Sequence, residues 1–159
     1  MLTNRETKEL KLIHQTRLVK NENSFHACLI NIINLECLLE LKLKDAPRLN
    51  SIYNHEKDYH KPLVKFLSKY NYNYRIYPAI RGESIETRIN NTCDYSIGLG
   101  LSNRDTKHAC IYYKGELFFD PYPRAYFKGI NPMFFMYFYR TDITLIEIPI
   151  YRPIYKLND

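Results

Sequence analysis

The 159-residue chain lacks any long uninterrupted apolar run. Its longest apolar segment, Ala27 to Leu43, is broken by Asn31, Asn34, Glu36, Glu40 and Lys42, so it is not expected to cross a bilayer. The amino-terminal MLTNRETKELK has no signal-peptide core, which points to a cytoplasmic location. Runs of positive charge are missing as well. The 23 basic residues never occur more than two in a row, so the net charge of +6 implies solubility and a weak pull on anions more than a dedicated nucleic-acid groove. The four cysteines, Cys28, Cys37, Cys93 and Cys110, form no CxxC pair, and no pair of cysteines or histidines has the short spacing of zinc sites. Reduced, buried thiols are therefore expected, with no metal and no cofactor. No repeat, low-complexity tract or linker divides the chain.

What is present suits one domain over residues 1–159. The 45% apolar content can close a single core at this length. From Phe25 to Leu41 the apolar residues surround the helix nearly all the way round, as in a helix buried on most sides, and residues 25–40 are expected to be helical. A second helix is expected over about 56–70, where Tyr59, Leu63, Phe66, Leu67 and Tyr70 recur at helical spacing and Pro62 threatens a kink. The period then shortens. YNYRIYPAI, YSIGLGLS, HACIYYK, ELFFDPYP, FFMYFYR and ITLIEIPIY read as strands. Helices followed by strands predict an α+β fold, its amino-terminal helix buried against an antiparallel sheet from the carboxy-terminal half.

Chemistry concentrates in HACIYYKGELFFDP. A three-residue loop, Tyr113-Lys114-Gly115, would pair His108 directly with Asp120 on one face, leaving Ala109, Ile111, Leu117 and Phe119 as a wholly apolar opposite face. A two-residue loop, Lys114-Gly115, would separate His108 and Asp120 onto opposite faces. A carboxylate beside an imidazole fixes its tautomer and stabilises the imidazolium, which is half of a nucleophilic triad. The third member should be a hydroxyl or thiol. The start of the buried helix suits it, because unpaired backbone N–H groups and the helix dipole stabilise a thiolate or an oxyanion. Ser24 stands there, with Cys28 one turn deeper.

In order and spacing these residues resemble the papain-like cysteine peptidases. The resemblance is closest to the branch of bacteriocin leader-processing peptidases and to small phage-encoded proteins with a QT, CF-x-AC, HA, glycine-turn, DPHP pattern. The matching pieces are Gln15-Thr16, Ser24-Phe25-His26-Ala27-Cys28, His108-Ala109, Gly115 and Asp120-Pro121-Tyr122-Pro123. They span roughly residues 14–129. The resemblance implies a papain-like fold, a viral origin, and a thiol hydrolase or acyl transferase acting on a peptide or other amide. It also implies a site in which residue 24 attacks, His108 moves the proton, Asp120 orients His108 and Gln15 helps hold the oxyanion. Ser24 departs from the pattern, which has cysteine there. A replaced cysteine, a natural serine nucleophile and a site that has lost catalysis all fit, and the retention of His108 with Asp120 favours the first.

Each residue also has an ordinary role. Serine is a preferred helix cap, a strand histidine needs only a hydrogen-bond partner, and aspartate before proline starts turns. His14, His26, His55 and His60 have no supporting motif. His14-Gln15-Thr16 alone is half of the paired His-x-Thr arrangement of cyclic phosphoesterases. Fifteen tyrosines and eight phenylalanines interleaved with basic residues suit a second function: a non-enzymatic papain-like protein that binds a host protein or, less readily, nucleic acid. Expected partners are thus a peptide or protein substrate or a host protein, with no membrane.

Overall fold

A computed structural model describes residues 12–17, 23–49, 59–79, 93–124 and 129–142. They form an α+β arrangement. Helix α1 spans Ser24–Cys37, a 3-10 turn spans Leu43–Asp45, and helix α2 spans His60–Ser68. Five strands follow: β1 Tyr72–Pro78, β2 Tyr95–Ser102, β3 Lys107–Tyr113, β4 Glu116–Phe119 and β5 Ile130–Arg140. They make one antiparallel sheet in the order β1-β5-β2-β3-β4. The expected strand at 143–151 lies outside the described residues, as do 56–58 of the expected second helix.

Helix α1 is buried from Ser24 to Ile33 except at His26. Phe25, Leu29 and Ile33 join Leu63, Ile97, Ile111 and Phe138 in the main core, so the helix packs on one face of the sheet as its apolar circumference demands. It ends three residues earlier than expected: Leu38 adopts the left-handed conformation (φ 54°), and 38–40 are exposed. That backbone is unfavourable for leucine, and Asn34 helps hold it there. The Asn34 carbonyl oxygen accepts from the Leu39 N–H, and its side-chain amide bonds both the N–H and the C=O of Leu41. In α2, Pro62 is the third helical residue, where a missing N–H breaks no intrahelical bond, so the feared kink does not arise.

The sheet carries two irregularities. Between β2 and β5 the register shifts at Leu99/Gly100, opposite Pro132, which has no N–H for a regular ladder. At Gly100 a β-carbon would collide with the backbone carbonyl of Asn131, so the two strands approach closely only because residue 100 is glycine. Gly100 also pairs with His108 across β2 and β3. The second irregularity lies between β3 and β4. The turn there is the two-residue Lys114-Gly115, both with positive φ, and not the three-residue loop expected. Tyr113 pairs with Glu116 and Tyr112 with Leu117, but Ile111 pairs with Phe119, so Phe118 is an extra residue in the bulge. The consequence for Leu117 is a correction: it lies on the exposed side (47% exposed) and not with Ala109 and Ile111 in the core.

Replacing Gly100 with alanine drives a β-carbon into backbone that has no rotamer to yield. The variant is expected to lose about 1–3 kcal/mol in urea denaturation, the range for overpacking. An unchanged midpoint would show that the strands can part there freely.

Candidate functional site

Two features of β3 meet at its outer edge. Along the strand, Ala109 and Ile111 turn toward the core beneath α1, while Cys110 and Tyr112 pack in a second cluster with Phe135 and Tyr137. Strand alternation puts His108 on this second side. Continuing the Ile111–Phe119 register places Asp120 across from Cys110 and Tyr122 across from His108. The bulge therefore returns Asp120 to the same side as His108 in spite of the two-residue turn, diagonally and not directly opposite. His108 Nε2 lies 2.7 Å from Asp120 Oδ1, with both side chains fully enclosed. The Tyr122 ring stands edge-on to the imidazole at 6.3 Å, and the Arg104 guanidinium covers the Tyr122 ring at 3.6 Å from its centroid.

The Asp120 side chain accepts from two backbone groups besides His108. Oδ1 also accepts from the Tyr122 N–H at 2.9 Å, and Oδ2 accepts from the Gly129 N–H at 2.6 Å. Burial by itself would push its carboxyl pKa up. The hydrogen bond and charge of His108 and the two backbone donors outweigh burial and hold it below the usual carboxylate value.

Ser24 is the first residue of α1 and not its cap; Asn23 occupies the cap position. Asn23 makes no side-chain cap bond either. Its Oδ1 accepts from the N–H groups of Thr16 and Arg17, and its amide donates to Thr16 Oγ1. The Ser24 hydroxyl accepts the Ala109 N–H across 3.1 Å, one peptide bond from His108, and is 1% exposed as a residue. Helix start and β3 edge are thus joined through residue 24 itself. Gln15 is brought to the same place by its backbone N–H, which donates to the Pro121 carbonyl oxygen at 2.9 Å. Its side chain is buried. Nε2 donates to the Arg17 carbonyl oxygen, and Oε1 has no hydrogen-bond partner among the described residues. The strap 12–17 is held further by Asn31, whose side chain bonds the N–H and C=O of Ile13.

Of the other residues weighed from sequence, His14 is exposed and packs edge-on against Phe119, and His60 bonds the Tyr74 hydroxyl. The Thr16 hydroxyl oxygen accepts from the Asn23 amide. His26 is half-buried, and burial followed by the nearby Arg17 charge pushes its pKa down. All four cysteines are free thiols, with Cys28 and Cys110 buried and Cys37 and Cys93 half-buried. Sequence reasoning expected Cys110 only as a reduced, buried thiol, and it is buried. Its sulfur, a His108 ring nitrogen and an Asp120 oxygen all lie within 4.8 Å of one another. The alternation from His108 to Cys110 was visible, but the bulge that brings Asp120 across from Cys110 was not.

No helix among the described residues is long and apolar enough to cross a membrane. Comparison of the chain with protein-family models, curated proteins and solved structures finds no match.

Two groups, His26 and Asp120, weaken the fold in acid in separate windows. The His26 pKa is lowered in the fold, so its contribution is present above the ordinary value of 6.5 and is lost as pH falls below it. The Asp120 pKa is also lowered, so its contribution is present above the ordinary 3.8 and disappears as pH falls through the folded value. Half-buried Glu36 acts in the opposite sense, since burial raises its pKa and the fold favours its protonated form. Variants separate these effects. In urea denaturation series, His26→Gln is expected to flatten the stability profile between about pH 7 and 5, and Asp120→Asn to flatten it below about pH 4. An Asp120→Asn profile parallel to that of the unaltered chain in acid would remove the charged carboxylate from the account.

Proposed function

We propose that this chain is a papain-like hydrolase or acyl-transfer scaffold for peptides or other amides, in which position 24 is the nucleophile, His108 the proton carrier, Asp120 its orienting carboxylate and Gln15 an oxyanion donor. The observation that carries the reading is the convergence of four positions far apart in sequence. His108 and Asp120 are hydrogen-bonded out of water, Ser24 touches the backbone next to His108, and Gln15 is tied to the residue after Asp120. With Asp120 on Nε2, proton exchange with residue 24 would run through Nδ1. The first-turn N–H groups of α1 have no side-chain cap, so they suit the negative oxygen of a tetrahedral intermediate, and Gln15 Nε2, which already donates to the Arg17 carbonyl oxygen, would join them through its second N–H.

In the proposed sequence, residue 24 attacks a carbonyl carbon as its proton passes to His108. The oxyanion collapses as His108 returns that proton to the leaving amine. Water or another nucleophile then releases the acyl group through the same imidazole. Serine is poorly suited to this geometry, because papain-like sites work through a preformed thiolate and imidazolium. The chain as it stands should therefore turn over amides slowly or not at all.

One observation favours the second reading, a non-enzymatic papain-like protein that binds a host protein. Ser24 is only 1% exposed and His108 is fully enclosed, so the reacting atoms are covered.

Ser24→Cys separates the two. At pH 7 an ordinary thiol is only a few per cent thiolate, whereas one at a helix start beside an imidazole is largely ionised, so alkylation should be faster by about tenfold or more. Iodoacetamide labelling read by peptide mass spectrometry is expected to modify the thiol introduced by Ser24→Cys well ahead of Cys28, Cys37, Cys93 and Cys110. Adding His108→Ala should abolish most of that difference. Labelling no faster than an ordinary exposed thiol, or equal labelling without His108, would leave Ser24 a structural residue and favour the binder.

A further inference from the structure

We infer that His108, Cys110 and Asp120 form a binding site for a zinc ion. The three donors are buried, and one ligand atom from each lies within 4.8 Å of the other two. Two come from alternate residues of β3, and the third comes from the turn after β4. They supply one imidazole nitrogen, one sulfur and one carboxylate oxygen, each of which zinc accepts at about 2.0–2.3 Å. A tetrahedral ion with such bonds separates its donors by roughly 3.2–3.8 Å. The present 2.7 Å between His108 and Asp120 and the 4.8 Å limit of the set bracket that range, so shifts on the order of an ångström admit the ion.

The surroundings suit a metal carboxylate. The Tyr122 and Gly129 N–H groups already orient Asp120, as outer-shell donors orient ligating carboxylates. A thiolate, a carboxylate and a neutral imidazole balance the charge of a divalent ion in a buried site, and the sulfur disfavours calcium and magnesium. Three protein ligands leave a fourth position for water or another donor. On binding, the Cys110 thiol proton leaves to solvent. His108 must present the Nε2 lone pair, so the ring proton moves from Nε2 to Nδ1 and the imidazole stays neutral.

This site needs no residue at position 24, so it stands or falls apart from the proposed catalytic reading. The two share His108 and Asp120. With zinc on Nε2 and the proton on Nδ1, the ring has no lone pair with which to accept a proton from residue 24. Zinc would thus act as an inhibitor in any variant where position 24 is reactive.

Cobalt is the probe, because a thiolate bound to tetrahedral Co(II) gives an ultraviolet charge-transfer band and intense visible bands. Metal-free, reduced protein is titrated with Co(II) both in the native state and during refolding, which allows for the burial of the site. The expected result is one equivalent bound with the charge-transfer band, displaced by one equivalent of zinc. Cys110→Ser should lose the band and weaken zinc by more than the roughly 10–100-fold carried by outer partners, while Cys93→Ser keeps both. Should Cys110→Ser fail to fold, the unaltered chain still decides. Zinc is expected to slow alkylation of Cys110 selectively in mildly destabilising urea, with Cys28, Cys37 and Cys93 unaffected. Absence of the cobalt band under both conditions, its persistence in Cys110→Ser, or equal protection of all four thiols would overturn the site.

Discussion

A carboxylate taken out of water has to be met by donors, and Asp120 imposes that requirement on three separate parts of the chain. His108 on β3, the Tyr122 N–H in the turn after β4 and the Gly129 N–H just before β5 all point at its two oxygens. Removing one partner of a buried ion pair typically costs about 3–5 kcal/mol, more than most single core contacts. Tyr122 and Gly129 are therefore both tied to one charge. So is the orientation of His108, whose ring has no surface on which to turn.

The other half of the site depends on α1, whose apolar circumference leaves it nowhere stable except against the sheet. Three asparagines convert that burial into position. Asn23 and Asn31 grip the strap 12–17, and Asn34 grips Leu41 past the end of the helix. In each case a side-chain amide bonds backbone groups that have no ladder partner, which is what buried N–H and C=O groups require. The strap in turn reaches Pro121 through Gln15, so the helix start, the strap and the Asp120 turn brace one another. Ser24 completes this by accepting the Ala109 N–H at the point where β4 has ended and can no longer serve that edge.

Much of this was legible in advance. The α+β class, the buried amino-terminal helix and the existence of the five strands up to residue 140 follow from periodicity, though β4 is shorter and β5 starts earlier than expected, because a period of 3.6 or 2 shows which faces are apolar whatever they pack against. The closeness of His108 and Asp120 was also legible, though for the wrong reason. A three-residue loop was expected to pair them directly, whereas a two-residue turn and a bulge at Phe118 set them on a diagonal. Two changes of parity cancel, and a sequence reading that counts residues cannot see either. The same bulge sends Leu117 outward and brings Asp120 across from Cys110, two outcomes that no pattern of residue types announced.

The sequence by itself determined where helix gives way to strand and which stretches carry apolar faces. These are local properties, written in propensity and periodicity. Tertiary structure alone decided what each side chain touches. It made Asn23 the cap position and gave the Ser24 hydroxyl to the β3 edge, enclosed His108 completely, and set Cys110 beside the His–Asp pair. The physical reason is that register and burial are set by long-range packing, in which a single extra residue moves every later side chain to the other face.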